Sequence, residues 1–245
     1  MKHTCLALAL VSAFAATSAN ASTLLGFKLG GDLFWGKPTG ALAELNYAEQ
    51  NIDYKDAAQY SIWFNVEHPI PFLPNLRIRE NHLETDGRLA DADFAFQGVN
   101  YTGSVKGTAD LSNTDFVLYY ELFDNDILSV DVGGAYKKFS GEYRMAQDNF
   151  AGSIELDGGV YMGYASAEVS LITTGLFAYG EMLVGIDYSN IRDYQVGLGW
   201  QFDGVALDTK VRLGYRQVNF EDPSFSGVMA DMRISGVTAG VEIVF

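Results

Sequence analysis

The sequence predicts an all-β fold, a ten-stranded antiparallel up-and-down transmembrane β-barrel with short turns at one end and longer loops at the other. Three observations predict it. Ten segments alternate apolar and polar residues with a period of two, which makes one face of each strand greasy and the other wet. The connections between them alternate long, short, long, short, as such barrels require. The polar faces collect charges of both signs, while no run of about 18 apolar residues follows the first 21.

The first strand is predicted over 24–35, with Leu25, Phe27, Leu29, Leu33 and Trp35 on one face and Lys28 and Asp32 opposite. Residues 36–57 hold Pro38, Gly40 and scattered acids with no clean period, and read as a loop. The second strand, 58–68, sets Tyr60, Ile62, Phe64 and Val66 against Gln59, Ser61, Trp63, Asn65 and Glu67. A proline-laden turn follows at 69–74. The third strand starts at Asn75, where Leu76 and Ile78 oppose Arg77 and Arg79. Glu80 and His82 would continue its apolar face, and a carboxylate facing hydrocarbon is costly. A bulge is therefore expected there, or a strand that has already left the apolar layer. Residues 84–109 read as an extended hairpin standing above the barrel.

The fourth strand, 110–122, sets Phe116, Leu118, Tyr120 and Leu122 against Asp115, Val117, Tyr119 and Glu121; 123–126 is a turn. The fifth, 127–139, sets Leu128, Val130, Val132 and Tyr136 against Ser129, Asp131, Gly133, Ala135 and Lys137. A polar loop is expected at 140–153. The sixth strand, 154–169, shows Val160, Met162 and Tyr164 on its apolar, outward face, before a turn at 173–175. The seventh, 176–188, turns Ala178, Met182, Val184, Ile186 and Tyr188 outward and Glu181 and Asp187 inward, and 189–193 reads as a short loop.

In the eighth strand Tyr194, Val196, Leu198, Trp200 and Phe202 alternate with Gln195, Gly197, Gly199 and Gln201, and Asp203-Gly204 signals a hairpin. The ninth, 206–218, sets Leu207, Val211, Leu213 and Tyr215 against Asp208, Lys210, Arg212, Gly214 and Arg216; 219–230 is a loop with Pro223. The tenth ends the chain, with Val237, Ala239, Val241, Ile243 and Phe245 on one face and Glu242 on the other. Phe245, an aromatic closing the last strand, is the expected assembly signal for the barrel-assembly machinery during insertion.

The amino-terminus reads as a signal peptide. Lys2 and His3 make a basic start, 6–16 is a short apolar run, and Ala19-Asn20-Ala21 is a small-x-small cleavage site. Cleavage would remove 1–21 and leave 22–245 as one barrel domain. It would also remove Cys5, the single Cys, which excludes disulfides and thiol chemistry from the mature chain. The net charge of -15 is spread along the chain and argues against nucleic acid as a partner.

Charges of both signs on the polar faces assign a lumen network: Lys28, Arg77, Arg79, Lys137, Lys210, Arg212 and Arg216 against Asp32, Asp115, Glu121, Asp131, Glu181 and Glu242. Glu67, Asp187 and Asp208 join the acidic set. Facing one another in a wet interior they can pair, whereas buried alone each would cost several kcal/mol. Aromatic girdles agree with this orientation. Trp35, Tyr60, Tyr136, Tyr188, Tyr194 and Tyr215 fall at the loop ends of the apolar stripes; Tyr120, Trp200, Phe202 and Phe245 fall at the turn ends. The competing reading, a soluble secreted barrel, needs the polar stripes outside.

Short motifs carry a resemblance: Leu25-Gly26 through Gly30-Gly31, Leu73-Pro74-Asn75, Leu118-Tyr119-Tyr120-Glu121 and Leu198-Gly199-Trp200. In these the chain resembles a family of small outer-membrane β-barrel proteins of Gram-negative bacteria with a Gly-Gly in the first strand. The resemblance spans essentially the whole mature chain. It implies the fold and a place in the cell outer membrane, and it implies no biochemical role and no site residues.

No catalytic, cofactor or metal residue is assigned. The mature chain holds two His, His68 at a turn and His82 near Glu80, Glu84 and Asp86. The second could act as a base, but acids are common throughout. Glu44, Glu49, Asp53 and Asp56 in one loop, and Asp86, Asp91, Asp93 and Asp110 in another, could hold divalent cations against lipopolysaccharide phosphates; no calcium-loop spacing accompanies them. The expected function is a monomeric, non-enzymatic outer-membrane barrel, structural or a narrow solute pore, in contact with lipid and lipopolysaccharide. Its alternatives are a loop-mediated surface binder and an omptin-like or lipid-modifying enzyme.

Overall fold

Period-two alternation becomes strand throughout the computed structural model, which describes residues 25–44, 50–70, 72–171, 174–205, 207–222 and 228–245. The predicted signal segment 1–21, Glu49 and Pro223 lie outside these. The strands are β1 (Gly26–Glu44), β2 (Gln50–Asn51), β3 (Asp53–Tyr54), β4 (Ala57–Glu67), β5 (Asn75–His82), β6 (Glu84–Phe96) and β7 (Val99–Asp110). They continue as β8 (Asn113–Asp124), β9 (Leu128–Gln147), β10 (Phe150–Ser170), β11 (Leu176–Gly185), β12 (Arg192–Phe202), β13 (Asp208–Asp222) and β14 (Val228–Val244). Ten of them close a ring of antiparallel neighbours, β1-β4-β5-β8-β9-β10-β11-β12-β13-β14 and back to β1. The β9–β10 and β1–β14 pairings seal it, so the barrel has no free edge.

The remaining strands build a second layer beyond the ring. The β6–β7 hairpin leaves between β5 and β8, and β7 lies against the far end of β9 through Lys106–Ala109 and Tyr143–Ala146 pairs. Its two-residue turn, Gln97-Gly98, has φ of 51° and 73°, the left-handed pair that matches strand twist. The hairpin expected above the barrel is therefore present. Leu89, Phe96, Tyr101, Val105, Met145 and Leu156 carry the apolar core of the lumen on into this extension.

Several expected loops are strand. β1 runs through Pro38 to Glu44, paired with β14 from Lys28↔Val244 to Glu44↔Val228. Pairing with β4 stops at Gly36↔Ala57, so Pro38 has a strand neighbour on one side only and its missing N–H breaks no ladder. The expected loop at 140–153 is the far half of the β9–β10 hairpin. There Tyr143 and Met145 are buried while Arg144 is exposed, an alternation hidden by polar content. Residues 219–222 and 228–230 likewise belong to β13 and β14.

The sixth-strand face is reversed: Val160, Met162 and Tyr164 are buried inside, and Tyr161 and Val169 point outward. The outward positions between them are Gly163, Ala165 and Ala167, so the larger side chains mislead the pattern. No bulge interrupts β5, whose register with β4 runs unbroken from Val66↔Leu76 to Tyr60↔His82.

Outward side chains form an apolar belt. Leu33, Ile62, Leu118, Val196, Leu198, Leu213 and Val237 are all at least half exposed. The soluble-barrel reading needs a polar outside, and this outer face is apolar. The inward faces change character along each strand. Toward the turns they are charged; toward the loops Phe34, Phe139, Val218, Phe220, Met232 and Ile234 make a buried apolar plug. Phe139 and Phe220 meet edge to face at 5.1 Å. Phe220→Ala should cost about 3–5 kcal/mol, as large-to-small changes in packed cores do. A urea midpoint in detergent unchanged from wild type would contradict a packed plug.

Candidate functional site: a charged lumen above a polar cavity

Asp193 lies at the centre of the lumen. The loop expected at 189–193 ends two residues early, because β12 begins at Arg192, and period two turns Asp193 inward beside Gln195. Arg216 of β13 grips it with two bonds, Nε to Oδ1 at 3.0 Å and Nη2 to Oδ2 at 2.7 Å. Arg79 of β5 reaches it from the opposite wall at 3.2 Å, and Lys137 of β9 stands 3.7 Å away. Sequence reasoning missed this residue because the strand was begun at Tyr194, two positions late. The signal that could have found it is Asp193-x-Gln195, which continues the polar face of that strand.

Arg79 links three carboxylates. It contacts Asp115 at 2.9 Å, Glu181 at 2.5 Å and Asp193 at 3.2 Å. Arg77, one inward position nearer the turns, holds the other oxygen of Glu181 at 2.7 Å. Lys137 pairs with Asp115 at 2.7 Å and donates to Asn113 Oδ1 at 2.9 Å. Asn81 joins the groups by donating to Asp115 at 3.0 Å and accepting from Arg216 at 2.8 Å. The network thus ties β5, β8 and β9 to β11, β12 and β13 across the interior. Asp115, Arg79, Lys137, Asp193 and Arg216 are each at most 3 % exposed, and in so dry a setting charges persist only when paired.

The layer nearer the turns is looser. Arg212 stands 3.4 Å from Asp32 and 3.9 Å from Glu242, and its guanidinium lies 4.3 Å from the Trp63 ring centre. Arg77 lies over the same ring at 5.1 Å, so Trp63 is held between two cations. This explains Gly30 in the Gly30-Gly31 pair: a Cβ there would fall 2.2 Å from the Trp63 ring. Gly240 makes room in the same way for the Asp32 carboxylate, 1.8 Å from where its Cβ would stand.

Below this layer a cavity of about 700 Å³ opens between the turns around Asp124, Thr174 and Asp203. Lys28–Glu67 at 2.6 Å and Lys210–Glu168 at 2.6 Å sit on its wall. Asp131 accepts from the Ser166 hydroxyl at 2.8 Å and has no cationic partner among the described residues. Glu121 is exposed beside a register shift in β8 and takes no ion pair among the described residues. Asp187 is also corrected: β11 ends at Gly185 and leaves it exposed, outside the lumen. Asp208 accepts the Gly204 N–H at 3.0 Å and shapes a turn.

Trp35, Tyr60, Tyr120, Tyr194, Trp200, Phe202 and Tyr215 are exposed on the outer wall, and Tyr136 and Phe245 are partly so; Tyr188 is exposed in the connection after β11 rather than on a strand. Register sets Trp35 and Tyr215 on either side of Val237. Tyr136 packs on Tyr161 at 5.1 Å, and Phe245 donates its backbone N–H to Phe27 at 2.9 Å. His82 stacks on Tyr60 at 5.0 Å, with Ser112 Oγ 3.4 Å from one ring nitrogen and Glu84 3.9 Å from the other. That hydroxyl already accepts the Leu83 N–H. Asp86 is taken by Lys106 and Thr108, and no group of three or more metal-ligating side chains exists among the described residues.

Replacing Asp193 with Asn keeps the shape and removes the charge that Arg216 and Arg79 share. Asp193→Asn should destabilise by about 3–5 kcal/mol, the cost of breaking a buried pair, whereas exposed Asp187→Asn should change stability by less than about 0.5 kcal/mol. Equal urea midpoints for the two variants would contradict the network. Gly30→Val should also lower the midpoint, by driving a methyl group into Trp63; a wild-type midpoint would contradict that packing.

No family model and no curated protein matches the chain. Several solved structures resemble it in fold. The translocator domain of the autotransporter NalP from Neisseria meningitidis is 15 % identical, covering 98 % of this chain and 95 % of that one, with a TM-score of 0.41. The outer membrane protease OmpT from Escherichia coli is 12 % identical over 89 % of this chain and 97 % of that one, with a TM-score of 0.44. The attachment invasion locus protein Ail of Yersinia pestis is 12 % identical over 89 % and 99 %, with a TM-score of 0.29. The likeness is distant in each case.

Proposed function

We propose that the chain is an integral outer-membrane β-barrel protein with a closed lumen, structural and non-enzymatic rather than an open diffusion pore. One observation carries this reading: the wall is inside out. Its outer face is an apolar belt bounded by Trp35, Tyr60 and Tyr215 at one end and Tyr120, Trp200 and Phe202 at the other, while its charges are buried within. A soluble protein rarely exposes a contiguous apolar surface of this extent, and a bilayer makes it the favourable arrangement. Closure of the ten-strand ring satisfies its backbone without water, which hydrocarbon demands. Charges at 77, 79, 115, 193 and 216 and the apolar plug above them fill the interior, which supports a barrier rather than a channel.

A second reading, loop-mediated binding at the cell surface, is favoured by the β6–β7 hairpin and the far half of β9–β10. They continue past the aromatic belt as a sheet with a buried apolar core, continuous with that of the lumen. An extension built only to connect strands needs no such core.

The three Trp residues supply the test. Trp35 and Trp200 are about half exposed on the outer wall, and Trp63 is 1 % exposed in the lumen. In lipid brominated along the acyl chains, single-Trp variants retaining Trp35 or Trp200 should be quenched and one retaining Trp63 should not. Equal quenching of all three, or none, would overturn the membrane reading. Leu213→Arg should cost about 2–4 kcal/mol if its position is near the bilayer centre, and an unchanged urea midpoint in lipid would count against it.

A further inference from the structure

We propose that the cavity at the turn end is a binding site for a small organic polycation, such as a polyamine. The cations lining it are already engaged, since Lys28, Lys210, Arg77 and Arg212 each face a carboxylate. Four lining carboxylates are left without a cationic partner among the described residues: Asp124, Asp126, Asp131 and Asp203. The first two guard the mouth on the β8–β9 turn, Asp203 faces them from the β12–β13 turn, and Asp131 stands inside the wall. A mouth that is negative on both sides draws cations in and repels anions.

Acidic residues alone would be a solvated rim, but a second feature points to a donor ligand. Asn65 lines the same cavity, is 6 % exposed, and its Oδ1 accepts no hydrogen bond among the described residues. Asp131 repeats the pattern: Oδ2 takes the Ser166 hydroxyl, while Oδ1 is buried and accepts nothing. Two buried acceptors left open on one cavity are costly unless an N–H donor supplies the missing bonds. An ammonium group brings several such donors together with positive charge.

Geometry favours an extended cation over a metal ion. A metal requires several ligands converging on one point, and no group of three or more metal-ligating side chains exists among the described residues. Carboxylates spread over two turns and a wall suit charges spaced along a chain. The volume, about 700 Å³, is that of an ordinary small-molecule pocket. The site itself is independent of the membrane reading, and only its exposure to the periplasmic side rests on that reading.

Calorimetric titration of the intact folded barrel in neutral detergent with spermidine tests the proposal, with magnesium chloride at matched ionic strength alongside. Saturable one-to-one binding of spermidine is expected, weakened about tenfold or more in Asp131→Asn, the loss of one charge-assisted bond. Ser129→Lys, which leaves every carboxylate in place but sets a cation on the cavity wall opposite Asp124 and Glu168, should abolish binding and keeps the test open should the first variant fold poorly. No saturable binding, equal affinity in wild type and the folded variants, or magnesium binding as tightly as spermidine would overturn the proposal. A barrel whose Trp35 and Trp200 are quenched by lipid yet binds no spermidine contradicts this site alone.

Discussion

The ion pair between Asp193 and Arg216, shared with Arg79, is the constraint on which the rest of the interior depends. A carboxylate buried to this degree is tolerable only with its lone pairs filled, and Arg216 fills two of them bidentately. That fixes how far β13 and β12 slide against each other. Arg79 then has one geometry left in which it also reaches Asp115 and Glu181, which sets the opposite wall. Asn81, Asn113 and Ser61 complete the remaining donors and acceptors without adding charge. Loss of any one ion leaves others stranded, so the network acts as a unit.

This knot also divides the lumen. On the loop side inward residues are aromatic or aliphatic and pack dry; on the turn side they are charged and border an open cavity. The two halves ask opposite things of the same strands. Strands β1, β9, β13 and β14 meet both demands by changing inward chemistry along their length, from Asp32 to Phe34, Lys137 to Phe139, Arg216 to Val218 and Glu242 to Ile234. Small residues let this happen in a narrow ring. Gly30 admits the Trp63 ring that separates Arg77 from Arg212, and Gly240 admits the carboxylate of Asp32.

Most of the barrel was legible in the sequence because one buried and one apolar face impose a strict period of two. Strands whose outward face is large and inward face polar, such as β4 and β12, read without ambiguity. The period failed where chemistry stopped tracking direction. In β10 the outward face is Gly163, Ala165 and Ala167, small enough that inward Met162 and Tyr164 looked like the lipid face. Beyond the belt both faces are mixed, so strand continuing through Pro38, Tyr143 and Asn219 resembled loop. Asp193 was lost to a boundary set by the first aromatic, Tyr194. Glu80 and His82 suggested a fault in β5 because its outward face was assumed to meet hydrocarbon along its whole length. They stand opposite Ile62 and Tyr60 in a regular strand, where His82 stacks on Tyr60 and Glu80 accepts the Thr114 hydroxyl. The pairing of individual charges was not legible, since it depends on which strands face each other across the ring.

Single-channel recording in planar bilayers tests the central claim, a lumen sealed by the buried ion network and its apolar plug, most directly. Purified wild-type protein should insert and show no resolvable open level in symmetric salt. The combined Arg79→Ala, Arg216→Ala and Phe220→Ala variant, which removes both seals, should show one. A large, stable, weakly selective conductance in the wild type would contradict the account and make the barrel a porin.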